Sequence, residues 1–348
     1  MRMTDKFGVN FKKNYIRSSS DGYMQLTILP TEKCNFRCVY CYEDFKIGKM
    51  NRDTIAGIKA LLSKSAPELK KLQIQWFGGE PTLNKAGVIE ISEHIVSLQK
   101  RYGFQYGAHM TTNAYLLDQQ TLKTFVALGI DDYQISLDGM PEQHNTTRKQ
   151  INGKGTFDTI WQNLCSFQET DEEFKIVFRL HVMEKNAESM LALSKMIKAQ
   201  FGHDNRYMSF IRNIANLGGA NESRVDQYVP EKEKLAQLID EMKSIMASDT
   251  HVACTKPTKD PYICYAAKPR HLTIRADGSL AKCTVMFDDD RNSLGKINPD
   301  GSLDIDGEKF DVWTRGFSSL NLSELACPKT NIPAMKQAKG EVIAQNAV

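Results

Sequence analysis

Three cysteines, Cys34, Cys38 and Cys41, lie on one eight-residue segment and constrain this chain more than any other feature. Thiolates at this spacing can hold three irons of a cubane and leave the fourth iron without a protein ligand. An open position on a metal is typical of a catalytic site, whereas a structural site fills it. Zinc is the alternative, but zinc sites usually have two paired C-x2-C arms, and the sequence has no second arm. Three cysteines this close also cannot pair evenly into disulfides.

Length and composition exclude several other classes of protein. The 348 residues suffice for one large or two medium-sized domains. A net charge of +3 gives no reason to expect nucleic acid or an anionic membrane as a partner. Residues 1–21 lack an apolar secretory segment, and no apolar run is long enough to cross a bilayer. We therefore expect a cytoplasmic protein, in which clustered cysteines bind metal more often than they form disulfides.

Six strand patterns, most of them followed by an amphipathic helix, recur along the first part of the chain. This alternation predicts an α/β fold with a parallel sheet and helices outside it. Six units are too few for a closed eight-stranded barrel, so we expect a partial (β/α)6 barrel. Chemistry in such folds lies at the carboxyl ends of the strands, where the first strand delivers Cys34. The predicted strands are 24–29, 72–77, 104–110, 133–137, 174–183 and 207–211.

Small polar residues follow the next three strands. The second strand is followed by Gly78-Gly79-Glu80-Pro81, the third by Thr111-Thr112-Asn113 and the fourth by Ser136-Leu137-Asp138-Gly139. Paired glycines allow the backbone to approach a ligand closely. Each segment alone is consistent with a polar turn, but four consecutive strand ends of this kind indicate one shared site.

With these motifs the sequence resembles the radical S-adenosylmethionine (SAM) superfamily. The resemblance is closest to peptide- and protein-modifying members with a C-terminal SPASM or twitch domain, among them the anaerobic sulfatase-maturating enzymes. It implies a catalytic [4Fe–4S] cluster on Cys34, Cys38 and Cys41, with SAM bound at the open iron. It also implies a low-potential electron donor such as flavodoxin or ferredoxin.

The resemblance further implies a set of cofactor-binding residues. The G-G-E-P segment would contact the methionyl amino group of SAM, and the S-x-D motif would lie along its ribose and methionine. Family members often carry T-N-G after the third strand, whereas this chain has Ala114 in place of the glycine. The expected residues are Tyr40, Gly78, Gly79, Glu80, Asn113, Ser136, Asp138, Arg148 and Arg179.

The two arginines in this set are expected for different reasons. Arg148 belongs to a segment like the H-x3-R of relatives, beginning at His144, and either binds a carboxylate or forms a salt bridge that fixes the loop. Arg179 lies inside an apolar strand, and its charge must be paired if the side chain points into the barrel. An inward Arg179 would suit the carboxylate of SAM, and the alternative is an outward, solvated side chain.

Four further cysteines follow the barrel region. A hairpin is predicted around the turn Asp277-Gly278. The spacing of Cys264, Gly278 and Cys283 resembles the opening of SPASM and twitch domains. With Cys254 and Cys327 these cysteines number four, which is enough to close one auxiliary [4Fe–4S] cluster.

The later part of the chain departs from the full SPASM pattern. Its C-x2-C-x5-C-x3-C run would require three further cysteines around Cys327, and the sequence lacks them. We therefore expect a single auxiliary cluster in a twitch-like domain. Cys254 is either its fourth ligand or a hydrogen donor near the barrel mouth, and Cys165 is expected in the core.

The expected division of the chain has four parts: an N-terminal extension over 1–23, the partial barrel over 24–228, a bridging helix with the auxiliary-cluster domain over 229–335, and a tail over 336–348. The expected function is maturation of a peptide or protein by a crosslink, an epimerisation or an oxidation, as in RiPP maturation. A small-molecule radical dehydrogenase and a non-enzymatic iron–sulfur module are the alternatives. Sulfatase maturation is disfavoured because Thr284 stands where those enzymes carry an aspartate.

Overall fold

The computed structural model describes residues 8–218, 222–230, 232–246 and 260–333. A ten-stranded sheet in the order β12-β11-β10-β9-β1-β3-β4-β5-β7-β8 forms its centre, and β2 and β6 form a separate ribbon. The strands are β1 Tyr23–Ile28, β2 Phe36–Cys38, β3 Lys71–Trp76, β4 Gln105–Thr112, β5 Ile130–Leu137, β6 Arg148–Gln150, β7 Lys175–Val182, β8 Tyr207–Asn213, β9 His271–Ile274, β10 Ser279–Ala281, β11 Gly295–Ile297 and β12 Leu303–Ile305.

The helices lie between the strands as the sequence periodicity predicts. The helix after the cysteine loop begins at an Asn51 cap that accepts a hydrogen bond from the Thr54 backbone, and it buries Ile55, Ile58 and Leu62. The α-helices are α1 Val9–Ser19, α2 Arg52–Ser65, α3 Lys85–Tyr102, α4 Gln119–Ala127, α5 Pro141–Thr147, α6 Phe157–Phe167, α7 Ala187–Phe201, α8 Glu222–Val225, α9 Lys232–Met246, α10 Gly307–Ser319 and α11 Leu322–Ala326.

The six predicted strands are present as β1, β3, β4, β5, β7 and β8, and adjacent members pair in parallel. Alternate residues of β5 and β7 face opposite sides of the sheet. Ile135 and Phe178 are buried in the apolar core, whereas their neighbours Ser136 and Arg179 line the inner cavity. This confirms the partial α/β barrel, with a cavity at the carboxyl edge of its parallel strands.

The predicted hairpin around Asp277-Gly278 forms as β9 and β10. Its first strand pairs in parallel with β1, so the hairpin extends the barrel sheet across its other edge. The boundary expected after residue 228 stays a prediction. Helix α1 was not expected from the sequence; its Phe11 packs with Ile263, Phe317 and Leu325 of the C-terminal region.

Candidate active site

The backbone that leads into Cys34 is held against the segment after β3. A Cβ at Gly78 would lie 2.4 Å from the carbonyl oxygen of Thr31, and one at Gly79 would lie 2.4 Å from that of Lys33. The Glu80 N–H donates to the Lys33 carbonyl at 3.0 Å. The paired glycines therefore allow close approach to the chain's own cysteine loop, and Gly78 also adopts a φ of +113°.

The carboxylate of Glu80 is almost fully buried and joins two strand ends. Its Oε1 accepts from the Thr82 backbone and from the hydroxyls of Thr82 and Thr112, and its Oε2 accepts from the Asn113 backbone at 2.6 Å. The Asn113 side chain in turn donates to Asn35 Oδ1 at 2.8 Å, beside Cys34. Glu80 thus fixes Asn113 against the cysteine loop.

The ribbon of β2 and β6 fixes the other end of the loop, because Cys38 pairs with Arg148. The Arg148 guanidinium donates to the Tyr40 hydroxyl at 2.7 Å, and that hydroxyl lies 2.8 Å from Asp138 Oδ2. Asp138 also accepts from Thr147 at 2.7 Å and contacts His181 Nδ1 at 3.1 Å. A buried polar network therefore links the cysteine loop to the ends of β5 and β7.

Burial and hydrogen bonding set the charge states in this network. Burial alone would raise the pKa of Asp138, but the His181 hydrogen bond and the Arg148 charge hold it below its ordinary value. Burial lowers the pKa of His144 to about 3, against the attraction of Asp138. His144 lies at hydrogen-bond distance from the Thr156 hydroxyl, at 3.1 Å, so its neutral ring has a structural partner.

Arg179 points into the cavity, as expected from its place in the apolar strand β7. Adjacent pairing of β5 with β7 places it beside Ser136. Its Nε is buried without a hydrogen-bond partner, and no ion pair involves Arg179 in the described part of the chain. Burial lowers its pKa below the ordinary value. A half-buried guanidinium without an ion pair is suited to binding an anion in the cavity.

A cavity of about 400 Å³ connects these residues at the carboxyl edge of the sheet. Its lining includes all three motif cysteines, and burial raises the pKa of Cys41 to about 12, with Cys38 adding to the rise. Each thiolate of a cubane binds a different iron, so the donors must surround a cavity rather than one point. No group of His, Cys, Asp or Glu within the described ranges is arranged around a single ion. The lining residues expected from the sequence are Cys34, Cys38, Tyr40, Cys41, Gly78, Gly79, Glu80, Asn113, Ser136, Arg148 and Arg179.

A second group of cysteines assembles in the C-terminal region. Burial raises the pKa of the Cys283 thiol to about 11, and Cys264 and Cys327 lie close enough that negative charge on either would raise it further. The Cys264 backbone donates to the Leu325 carbonyl at 2.8 Å, which holds the segment before Cys327 next to Cys264. Three of the four predicted auxiliary ligands therefore lie together. Cys254 lies outside the described residues.

Two buried lysines lie beside this second group. Lys282 is fully buried and donates to the carbonyls of Lys268 and His271, both at 2.6 Å. Burial lowers its pKa to about 7, although Cys264 opposes this. Burial likewise lowers the pKa of Lys268 to about 8, so negative charge on Cys264 would favour the protonated form of both lysines.

Several cavity residues were not singled out from the sequence. His181 completes the network around Asp138, and Gln134, Arg212 and Asn213 line the cavity from β5 and β8. Glu43, two residues after Cys41, is buried, and its Oε1 has no hydrogen-bond partner. Burial raises the pKa of Glu43 to about 8, with Glu32 adding to the rise and Arg275 opposing it. The sequence feature that could have indicated Glu43 is an acidic residue two positions after the last cysteine of the motif.

Comparison with known proteins finds a family model that matches the first part of the chain. Residues 28–193 match the model of the Radical SAM superfamily. The Fe-coproporphyrin III synthase of Methanosarcina barkeri is 28% identical over 171 residues, which cover 49% of this chain and 40% of that protein. The GTP 3′,8-cyclase of Haemophilus influenzae (strain PittGG) is 29% identical over 179 residues, which cover 50% of each. The matches thus span half or less of these relatives.

Solved structures extend the similarity in fold to most of the chain. The anaerobic sulfatase-maturating enzyme anSMEcpe with bound AdoMet has a TM-score of 0.61 at 18% identity, covering 83% of this chain and 80% of that one. SuiB of Streptococcus suis bound to SAM has a TM-score of 0.59 at 13% identity, covering 90% of this chain and 74% of that one. At these identities the similarity establishes the fold.

Proposed function

We propose that this chain, whose residues 28–193 are a radical SAM domain, cleaves SAM reductively and abstracts a hydrogen atom from a residue of a peptide or protein. The observation that carries the proposal is one cavity lined by the three motif cysteines and by Arg179, whose Nε has no hydrogen-bond partner. A cluster with SAM at its open iron supplies the 5′-deoxyadenosyl radical when one electron is delivered.

The residues of the chain have distinct roles in this proposal. Cys34, Cys38 and Cys41 would hold the cluster, and Arg179 would pair with the carboxylate of SAM. Gly78, Gly79 and Ser136 would contact the rest of the cofactor. Glu80 and the Asp138 network would act indirectly, because their carboxylates already have partners within the protein. Tyr40 and Arg148 would then position the loop rather than bind SAM.

A peptide substrate is supported by two solved structures of similar fold. One is anSMEcpe with AdoMet and a Cp18Cys peptide, and the other is SuiB with the precursor peptide SuiA. We propose the same class of substrate here, and a low-potential flavodoxin or ferredoxin as electron donor. The second candidate is a small-molecule substrate, which the names GTP 3′,8-cyclase and Fe-coproporphyrin III synthase favour for the matching half of the chain.

We also propose one auxiliary [4Fe–4S] cluster on Cys264, Cys283 and Cys327. Cys254 would be its fourth ligand or a hydrogen donor to the substrate. Anaerobic reconstitution should give about eight irons per chain, and about twelve would contradict a single auxiliary cluster. Cys254→Ala separates the two roles: a ligand loses auxiliary iron, whereas a donor keeps its iron and stalls turnover.

The experiment that tests the function is anaerobic turnover with dithionite and SAM, followed by mass spectrometry of a peptide co-expressed from a neighbouring gene. The expected result is 5′-deoxyadenosine together with a mass change in the peptide. A protein that binds stoichiometric zinc and cleaves no SAM would refute the proposal. 5′-Deoxyadenosine formation that depends on a small molecule instead would favour the second candidate.

A further inference from the structure

A second cavity of about 490 Å³ adjoins the one described above. It lies between the residues that follow Cys41 and the segment from Thr284 to Asp290 after the hairpin. The two cavities share Tyr42, Glu43 and Leu217 in their linings. A molecule with one part bound in the second cavity could therefore place a neighbouring part in the first cavity.

Glu43 at this junction is buried without a bound partner for one of its oxygens. The residue is 7% exposed, and its Oε1 has no hydrogen-bond partner. The nearby cation, Arg275, is engaged elsewhere: its Nε and Nη2 donate to Glu32 at 3.0 and 2.7 Å. Its guanidinium also lies over the Phe287 ring at 4.3 Å. A buried carboxyl oxygen is costly without a hydrogen-bond partner, and a ligand that enters the second cavity can supply one.

The lining of the second cavity has more acidic than unpaired basic side chains. Three of its aspartates pair with basic residues that do not line it: Asp44 with Lys46, Asp289 with Arg291 and Asp290 with Lys309. Asp288 lines the cavity, and no ion pair involves it within the described ranges. Lys329 is the remaining basic residue of the lining and is exposed. The carboxyl groups of Glu43 and Asp288 thus outnumber the basic residues of the lining that are not already paired.

We propose that this cavity receives a lysine or arginine side chain of the substrate peptide, with its cationic head at Glu43 and the residue to be modified next to it in the SAM cavity. This inference rests on the proposed function, since it assumes a peptide substrate. Tyr42, Val285, Met286 and Phe287 form the wall that would contact the aliphatic stem. Charge-assisted hydrogen bonds to a carboxylate recognise an ammonium or guanidinium group.

The test uses the holoenzyme with SAM bound and short peptides that differ at one position. Lysine and norleucine, which lacks the ammonium group, form one pair, and arginine and its neutral isostere citrulline form the other. Dissociation constants are measured anaerobically by calorimetry. At low salt we expect the cationic member of each pair to bind at least about tenfold more tightly than the neutral one. The difference in affinity should be smaller at high salt. Equal affinity within both pairs, including no binding of either, overturns the inference.

Variants assign the preference to particular carboxylates. Glu43→Gln keeps the shape and should reduce the preference to about threefold or less, while Asp288→Asn at the exposed rim should reduce it about threefold. Asp311→Asn, on the exposed face of α10, is the matched control and should retain it. A preference that survives both Glu43→Gln and Asp288→Asn overturns the inference. Asp288→Asn, whose side chain is exposed, keeps the test decisive if Glu43→Gln fails to fold.

The proposed function is tested separately in the same samples. If 5′-deoxyadenosine forms and a peptide is modified without any preference for a cationic residue, the inference alone fails. If no SAM is cleaved with any peptide, the proposed function fails whatever the affinities are. Both results are read from one reaction series, by chromatography for 5′-deoxyadenosine and by mass spectrometry for the peptide.

Discussion

The two groups of cysteines are held in different ways. Cys34, Cys38 and Cys41 come from one short loop that neighbouring strand ends fix through backbone contacts at Gly79 and pairing at Cys38. The C-terminal group joins three segments far apart in sequence, and Cys327 is exposed at the end of the five-residue helix α11. The loop cysteines therefore come together when the sheet folds, whereas the C-terminal cysteines come together only when their separate segments dock against each other.

Removing the loop cysteines together should have the largest effect. The triple change Cys34→Ala, Cys38→Ala, Cys41→Ala should abolish 5′-deoxyadenosine formation and leave about half of the iron bound, because the C-terminal group is intact. Iron analysis and chromatography measure the two quantities. Loss of all iron would mean that the two sites do not form independently, and full activity would contradict the catalytic assignment.

The reverse change tests the other half of the comparison. Cys264→Ala with Cys283→Ala should remove about half of the iron while leaving slow SAM cleavage without substrate, because the barrel cavity is unaltered. Cys165→Ala, on the half-buried face of α6, is the control and should keep all of the iron. Complete loss of SAM cleavage in the double variant, with wild-type folding by circular dichroism, would show that the barrel site depends on the C-terminal one.

The loop site could be predicted from the sequence because the features that determine it lie within short segments. Cysteine spacing and the apolar strands suffice to predict the barrel and the loop, and the charge within β7 left an inward and an outward Arg179 as alternatives. The hairpin was predictable for the same reason, since Asp277-Gly278 is a local turn signal.

What the sequence did not indicate depends on contacts between distant residues. The ribbon strands β2 and β6 have three residues each, too few to show a periodicity, and Cys38 pairs with Arg148 far along the chain. The hydrogen bonds that Glu80 accepts from Thr112 and Asn113 also join separate strand ends. The docking of α1 on Phe317 depends on a side-chain stack at 4.6 Å. None of these pairings has a signal within one segment.

Arg179→Met should weaken SAM binding without affecting the C-terminal group. The expected loss is about 1.5–3 kcal/mol, which is roughly 10- to 150-fold in Kd, because a charge-assisted pair with the carboxylate is removed. Equilibrium dialysis with reconstituted protein measures it, and iron content should stay unchanged. Unchanged affinity with a lower melting temperature would assign a structural role to Arg179 instead.

His144→Asn should change the pH dependence of stability in the barrel region. The pKa of His144 lies near 3 in the folded state and near 6.5 in the unfolded state, so between these values the unfolded state binds more protons. Wild-type stability therefore falls as the pH drops from about 6.5 towards 3, by about 2 kcal/mol at pH 5 from this residue. Urea unfolding at pH 5 and pH 7.5 should show a smaller difference for the variant. An equal difference in both proteins would exclude His144 as the source.

Ser136→Ala should have the smallest effect and should discriminate between a direct and an indirect role of the strand ends. Ser136 lies beside Arg179 and lines the cavity, and its hydroxyl would make a single neutral hydrogen bond to SAM. Loss of one such bond weakens binding by about 1 kcal/mol, or roughly fivefold in Kd.

Thr112→Val is the informative comparison for Ser136→Ala, because it removes a hydroxyl that contacts Glu80 rather than the cavity ligand. If Ser136 binds SAM directly, its variant loses affinity with unchanged stability, whereas Thr112→Val loses stability first. The same loss of stability in both variants would assign Ser136 a structural role like that of Thr112, and the barrel edge would then depend on contacts between its segments as the C-terminal cysteines do.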